Sequence, residues 1–218
     1  MHPYFSPVAR DALQILGLSR QQEERLAQRL ARIDSSILAA AATMNLTGDR
    51  DPVLFRTRHM EDAVLSAAAL HPRWAEGSGP SNVLDVGSGA GLPGLVWAAL
   101  WPKAMVTLLD SRKRRTAFLE RLTHELELKN VQVVCARAEE LAHQPEHRAH
   151  YDLVGARALA ALPALAELTL PFARRGAGVA AIKSAGIEHE LNLARTAISK
   201  LGGDFEAVDL RAYVRADD

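Results

Sequence analysis

The chain has 218 residues, 48% hydrophobic and 24% charged, with a formal net charge of zero. This is an ordinary soluble composition, long enough to bury a real core, and any nucleic-acid affinity must come from a local basic face because there is no global positive field. A single cysteine, Cys135, excludes an internal disulfide and fits a reducing compartment.

No apolar run approaches the length of a membrane span, and residues 1–20 do not resemble a signal peptide, so a cytoplasmic location is expected. Without export, the sequon Asn45-Leu46-Thr47 has no glycosylation meaning. Residues 1–75 read as helical. Ser19 and Gln22 make a capping box, and Leu26, Leu30, Ile33, Ile37 and Met44 then recur on one helical face. The stretch Asn45–Gly48 breaks that helix. Asp51 as N-cap and Pro52 as first helical residue start another, which the pattern carries to about Leu70. Its residues Arg56, Arg58 and His59 form either a solvated face or one turned to a polyanion.

Residues 76–81, Glu-Gly-Ser-Gly-Pro-Ser, read as a linker dividing a helical region over 1–75 from a domain over 82–218. Beyond it strands and helices alternate. Strands are expected at Val83–Val86, Met105–Asp110, Val131–Ala136, Tyr151–Ala156, Gly178–Lys183 and Phe205–Val214. Helices are expected over about 92–101, after a Ser111 cap, over 159–172 and over 187–201. Such alternation implies an α/β fold with a parallel sheet and helices on both faces.

The first strand ends on Gly87-x-Gly89-x-Gly91, with Leu92 following. A glycine-rich strand-to-helix turn lets backbone pass close to a nucleotide-type ligand and offers it helix N-terminal amides. The spacing is not the G-x-G-x-x-G of a dinucleotide site. Asp85 lies within the strand before the turn. Asp110 ends the second strand, where a carboxylate either caps the next helix or accepts hydrogen bonds from both hydroxyls of a ribose. Arg112, Lys113, Arg114 and Arg115 then place four cations where the helix dipole disfavours them, so either salt bridges or the phosphates of an RNA should favour them there. Glu139, Arg157 and Lys183 stand at three further strand ends, on the rim where an open sheet holds its ligand. Pro145 breaks the register of His143, His147 and His150, so no metal site is expected; Cys135 reads as a small buried strand residue.

The stretch Val83–Gly94 resembles the first motif of S-adenosylmethionine-dependent methyltransferases of the seven-stranded class. More narrowly it resembles the bacterial small-subunit ribosomal RNA guanine-N7 methyltransferases, once called glucose-inhibited division protein B. Asn45-Leu46-Thr47, Arg58-His59 with Asp62, Leu109–Ser111, Arg137–Glu139, Ala156–Ala158 and Ile182-Lys183 follow in that family's order and extend the match over most of the chain. The resemblance implies a Rossmann-like methyltransferase sheet with an N-terminal helical extension. It implies S-adenosylmethionine as cofactor, 16S ribosomal RNA or the small ribosomal subunit as partner, and a monomer. It puts Asp85, Gly87, Gly89, Gly91, Leu92, Ala138, Glu139 and Arg157 at the cofactor and Asp110 on its ribose, with Asn45, His59 and Lys183 nearer the RNA. The family ordinarily has a further strand, with an Arg or His near its start and a Lys near its end; this sequence ends at Asp218 without it, so the expectation is either an incomplete last sheet pairing or a truncated chain.

Guanine N7 has a free lone pair and no proton, so its methylation needs no general base, only in-line positioning. No catalytic acid or base is therefore expected, and Lys183 or Arg157 is expected on a phosphate or on guanine O6. Two other readings share the sheet: a nicotinamide-dependent oxidoreductase, which the glycine spacing disfavours, and a non-catalytic RNA-binding or assembly protein.

Overall fold

A computed structural model describes residues 3–74, 79–184 and 186–205. Before the first strand come α1 (Pro7–Ile15), α2 (Arg20–Ala41), α3 (Pro52–Phe55) and α4 (Glu61–Leu70). Their starts follow the chemistry of their caps. Ser6 accepts from the Ala9 amide ahead of Pro7, Ser19 and Gln22 form the reciprocal box, and Asp51 accepts from the Leu54 amide at 2.8 Å. The helix α2 stops at Ala41, so Met44 lies beyond it and packs on the core as a loop residue. Between α3 and α4 the expected continuous helix is interrupted by a π turn, Arg56–Met60.

Among the described residues five strands follow: β1 (Asn82–Val86), β2 (Met105–Asp110), β3 (Val131–Cys135), β4 (Tyr151–Arg157) and β5 (Ala173–Ile182). They form one parallel sheet in the order β3-β2-β1-β4-β5, with Asp85 level with Leu108 on one side and Gly155 on the other. The connecting helices are α5 (Gly94–Leu100), α6 (Lys113–Glu125), α7 (Ala138–Leu141), α8 (Leu162–Thr169) and α9 (Glu188–Lys200). The fifth strand starts earlier than its apolar run suggested, and Lys183 lies just past its end. The expected sixth segment lies, after Phe205, outside the described residues, as do residues 75–78 of the linker region.

Side chains alternate across a strand, so each strand supplies two cores. Val83, Val106, Leu108 and Leu153 pack with α1, α2, α4, α5 and α6 on one face. Leu84, Val86, Leu109, Val154 and Ala156 pack with α7, α8 and α9 on the other. Helices of residues 1–75 thus share a core with the sheet. Trp97 joins the parts: it is fully buried, donates from Nε1 to Ala63 O at 3.1 Å, and covers Gly155, where a Cβ would come within 2.4 Å of its ring. Because β3 is an edge strand, Cys135 is exposed, contrary to the buried position expected for it.

Candidate active site

The carboxyl ends of β1, β2 and β3 border a cleft lined by Val86, Gly87, Leu109, Asp110, Ser111, Ala136, Arg137, Ala138, Glu139, Leu159 and Leu168. The order of strands reverses beside β1, and an open parallel sheet holds its ligand at such a point. Gly87, Asp110, Ala138 and Glu139 of the expected site meet here.

Gly87, Gly89 and Gly91 all have positive φ, at 71°, 56° and 93°. Such backbone favours glycine. The turn they form does not offer its amides outward as expected. The Gly87 and Ser88 amides donate to Leu109 O at 2.8 and 2.9 Å, and those of Gly91 and Leu92 donate to Ser88 O. The Gly89 amide donates to Asp110 Oδ2 at 3.0 Å. The helix α5 starts only at Gly94, whose amide donates to Asp85 Oδ2 at 3.0 Å. A pyrophosphate cradle needs free amides; here those of the turn are largely spent on Leu109 and Asp110 of β2 and on Ser88.

Two buried carboxylates replace the anion site. Asp110 is 4% exposed and works mainly as an organiser of the turn. Besides Gly89, it accepts from the Arg112 amide at 2.9 Å and from Arg115 Nη1 at 3.4 Å. Having about four acceptor positions, a carboxylate so engaged keeps roughly one for a ligand, not the two that both ribose hydroxyls would need. The Asp110-to-Arg112 bond also displaces Ser111 from the expected cap: Arg112 is the N-cap residue and Ser111 lines the cleft. Asp85 is fully buried, and its Oδ1 has no hydrogen-bond partner among the described residues. Burial, and after it the nearby Asp110, push its carboxyl up to about 7, against the lowering pull of the Gly94 amide and Arg157.

Glu139 opens the short α7, where its own amide and then Arg137, 3.1 Å away, hold its carboxyl below the usual range. Arg157 turns elsewhere. Its Nη2 donates to Arg58 O at 2.6 Å, its Nη1 to His59 O at 3.5 Å, and Asp62 lies 3.9 Å away. Lys183 donates to Ala160 O at 3.1 Å and pairs with Glu190 at 2.7 Å. His59 Nε2 lies 2.9 Å from Asp49 Oδ2, and Arg58 reaches the same carboxylate at 3.3 Å. Burial first, then Arg157, lower the His59 pKa and favour its neutral form. Asn45 is exposed on the segment between α2 and α3, and Leu92 is buried at the foot of the glycine turn. Among the described residues no group of His, Cys, Asp and Glu is arranged to hold a metal ion.

Sequence reasoning missed Leu159, which lies over the turn so that a Cβ on Gly87 would come within 2.5 Å of it. It was expected inside a helix. The helix starts later, at Leu162, because Ala158 takes φ 50°, strained for a residue with a Cβ, and redirects the chain. No local pattern marks that turn. Asp49 was missed as well, its partner His59 being ten residues away with no periodic relation.

A family model described as rRNA small subunit methyltransferase G matches residues 26–212. A Roseiflexus castenholzii protein named ribosomal RNA small subunit methyltransferase G is 39% identical over 187 residues, 86% of this chain and 77% of its own. One of the same name from Symbiobacterium thermophilum is 41% identical over 172 residues, 76% of this chain and 67% of its own. A crystal structure of a Corynebacterium glutamicum protein covers 77% of this chain and 78% of its own, with a TM-score of 0.50 at 17% identity, a likeness of fold alone.

Proposed function

The chain belongs to the rRNA small subunit methyltransferase G family, and from that premise we propose that it transfers a methyl group from S-adenosylmethionine to N7 of a guanine in 16S ribosomal RNA. The observation that carries the cofactor reading is the turn between β1 and α5. Its amides are satisfied internally, and Asp85 and Asp110 stand beside it. A turn with few free amides beside the Asp110 carboxylate offers a pyrophosphate no cradle and suits a ligand that carries a nucleoside without phosphates. S-adenosylmethionine fits that description; a nicotinamide dinucleotide does not.

When bound, the cofactor supplies a methyl group made electrophilic by its sulfonium. Asp110 would take one ribose hydroxyl while it holds the turn in shape, and Ala138 and Glu139 would border the adenine. Gly87, Gly89 and Gly91 would give close approach, Leu92 would support the turn from below, and Asp85, buried beneath it, would act on the site through its hold on the Gly94 amide. Arg157, directed to the π turn, acts on the other side of the rim. The helical region 1–75 would form the RNA side of the molecule and residues 82–218 the methyltransferase part, with Asn45 and His59 nearest the target base. Lys183, paired with Glu190, would approach a phosphate only after that pair opens.

Guanine N7 has no proton to lose, so this reading requires no general base. As the methyl arrives the purine becomes positive, and Asp49 and Asp62 on this rim stabilise such charge. Calorimetric titration should show S-adenosylmethionine binding and no binding of a nicotinamide dinucleotide. Methyl-labelled cofactor should then mark small-subunit RNA. Binding of the dinucleotide would favour the oxidoreductase, and RNA binding without label transfer would favour the non-catalytic reading.

A further inference from the structure

The segment between β4 and α8, residues 158–161, places Leu159 over the glycine turn and into the wall of the cleft shared by Gly87, Asp110, Ala138 and Glu139. Its own residues, Ala158, Leu159, Ala160 and Ala161, have no polar side chain with which to hold that position. Ala158 takes φ 50°, a conformation that persists only where the surroundings enforce it. Ala161 is the N-cap of α8 and offers no side-chain acceptor to the first amides of the helix. The acceptor comes from α9 instead. Glu190 Oε2 accepts from the Leu162 amide at 3.1 Å, where the helix dipole also favours a carboxylate. The same oxygen pairs with Lys183 Nζ at 2.7 Å, and Lys183, its side chain only 14% exposed, donates to Ala160 O at 3.1 Å. One carboxylate thus secures the segment on both sides of Ala161, directly at Leu162 and through Lys183 at Ala160. Leu159, Ala160 and Leu191 of α9 pack against the same core, so the brace and the cleft wall are contiguous.

We propose that Glu190 is a positioning residue for the cofactor: it holds Leu159 against the glycine turn and so sets the wall of the cleft. The proposal rests on the methyltransferase reading for its ligand, S-adenosylmethionine. It depends on hydrogen-bond geometry more than on charge, because both contacts fall on one oxygen. A glutamine oxygen has the same reach and two lone pairs, so it can take both donors; alanine takes neither.

The experiment compares the full chain with Glu190→Ala, Glu190→Gln, Leu159→Ala and the double variant Glu190→Ala with Leu159→Ala. Calorimetry gives S-adenosylmethionine affinity, NMR follows the Leu159 methyl groups, and urea unfolding checks that each variant is folded. Leu159→Ala strips part of an apolar wall and should raise cofactor Kd by roughly five- to tenfold. Glu190→Ala should raise it by a similar factor, although Glu190 is not among the residues that line the cleft. Glu190→Gln should stay within about twofold of the unaltered chain. The double variant should bind no more weakly than Leu159→Ala alone, since two residues that act through one contact are not additive. On small ribosomal subunits Glu190→Ala should raise KM for the cofactor and hold kcat, a split that a general loss of structure would not give. Additive losses in the double variant would overturn the brace, as would an unchanged Kd in Glu190→Ala or a Glu190→Gln as weak as the alanine variant. If the unaltered chain binds no S-adenosylmethionine, the cofactor reading fails and NMR alone decides the brace. Leu159 methyl signals that shift in Glu190→Ala and return in Glu190→Gln support it; signals that stay in place overturn it.

Discussion

Asp85→Asn tests whether the carboxylate beneath the glycine turn is a liability to the fold that the site retains. The Asp85 carboxyl is fully buried, with one oxygen on the Gly94 amide and the other without a partner among the described residues. Burial raises its pKa from 3.8 to about 7. In the unfolded chain it ionises near the lower value, so the folded state must hold off ionisation over about three pH units. At about 1.4 kcal/mol per unit that is about 4 kcal/mol, an upper figure for a buried group. A raised folded pKa means that this stability is fully present below about pH 4, is lost progressively as pH rises to about 7, and changes no further above that. Asparagine keeps the acceptor for Gly94 but cannot ionise; its buried NH2 costs about 1–3 kcal/mol if unpaired, at every pH. Urea unfolding at fixed ionic strength, from about pH 4.5 to about pH 8.5, should find the variant less stable at the acid end and more stable at the alkaline end. Stability profiles that run parallel to within about 0.5 kcal/mol would refute the reasoning, because Asp85 would then ionise alike in both states.

Other expected outcomes follow from individual interactions. Asp110→Asn removes the charge that holds Gly89, Arg112 and Arg115, and calorimetry should find cofactor affinity lowered by about tenfold or more. Gly94→Ala would put a Cβ within 2.3 Å of Leu108 and 2.9 Å of Asp85, and thermal or urea unfolding should show a loss of about 1–3 kcal/mol. Ser6→Ala takes away a 2.7 Å hydrogen bond to the buried Glu61 together with the α1 cap, and should cost about 2–3 kcal/mol by urea unfolding. Arg112 and Lys113 are exposed at the start of α6. If they meet RNA phosphates, the double alanine variant should lower the log–log salt slope of RNA binding by about 0.7 for each phosphate it no longer neutralises and leave cofactor affinity unchanged.

Much of this fold is written locally. The caps at Ser19 and Asp51 were legible because a side-chain oxygen must meet orphan amides within three residues, and the parallel sheet because β1, β2 and β4 are apolar on both faces. The exposed Cys135 was not legible, since an apolar run does not say whether its strand is central or at the edge. Nor was the engagement of the glycine turn's amides: that depends on Leu109 and Asp110, brought beside the turn by strand pairing. Arg157 shows the limit most clearly. Its place at a strand end was readable, but its direction depends on carbonyls 98 and 99 residues earlier, in a π turn that helical periodicity does not register. Residue types mark the rim of the site; tertiary packing decides which groups face the ligand.

The central claim is transfer to a ring nitrogen that needs no base. Methylation of small ribosomal subunits with labelled cofactor, followed by borohydride and aniline treatment of the RNA, tests it most directly, because only a guanine carrying a methyl on N7 becomes a site of strand scission. Label and scission at the same guanine are the expected result. Label without scission, with the methyl found on a carbon or on a ribose oxygen, would contradict the account.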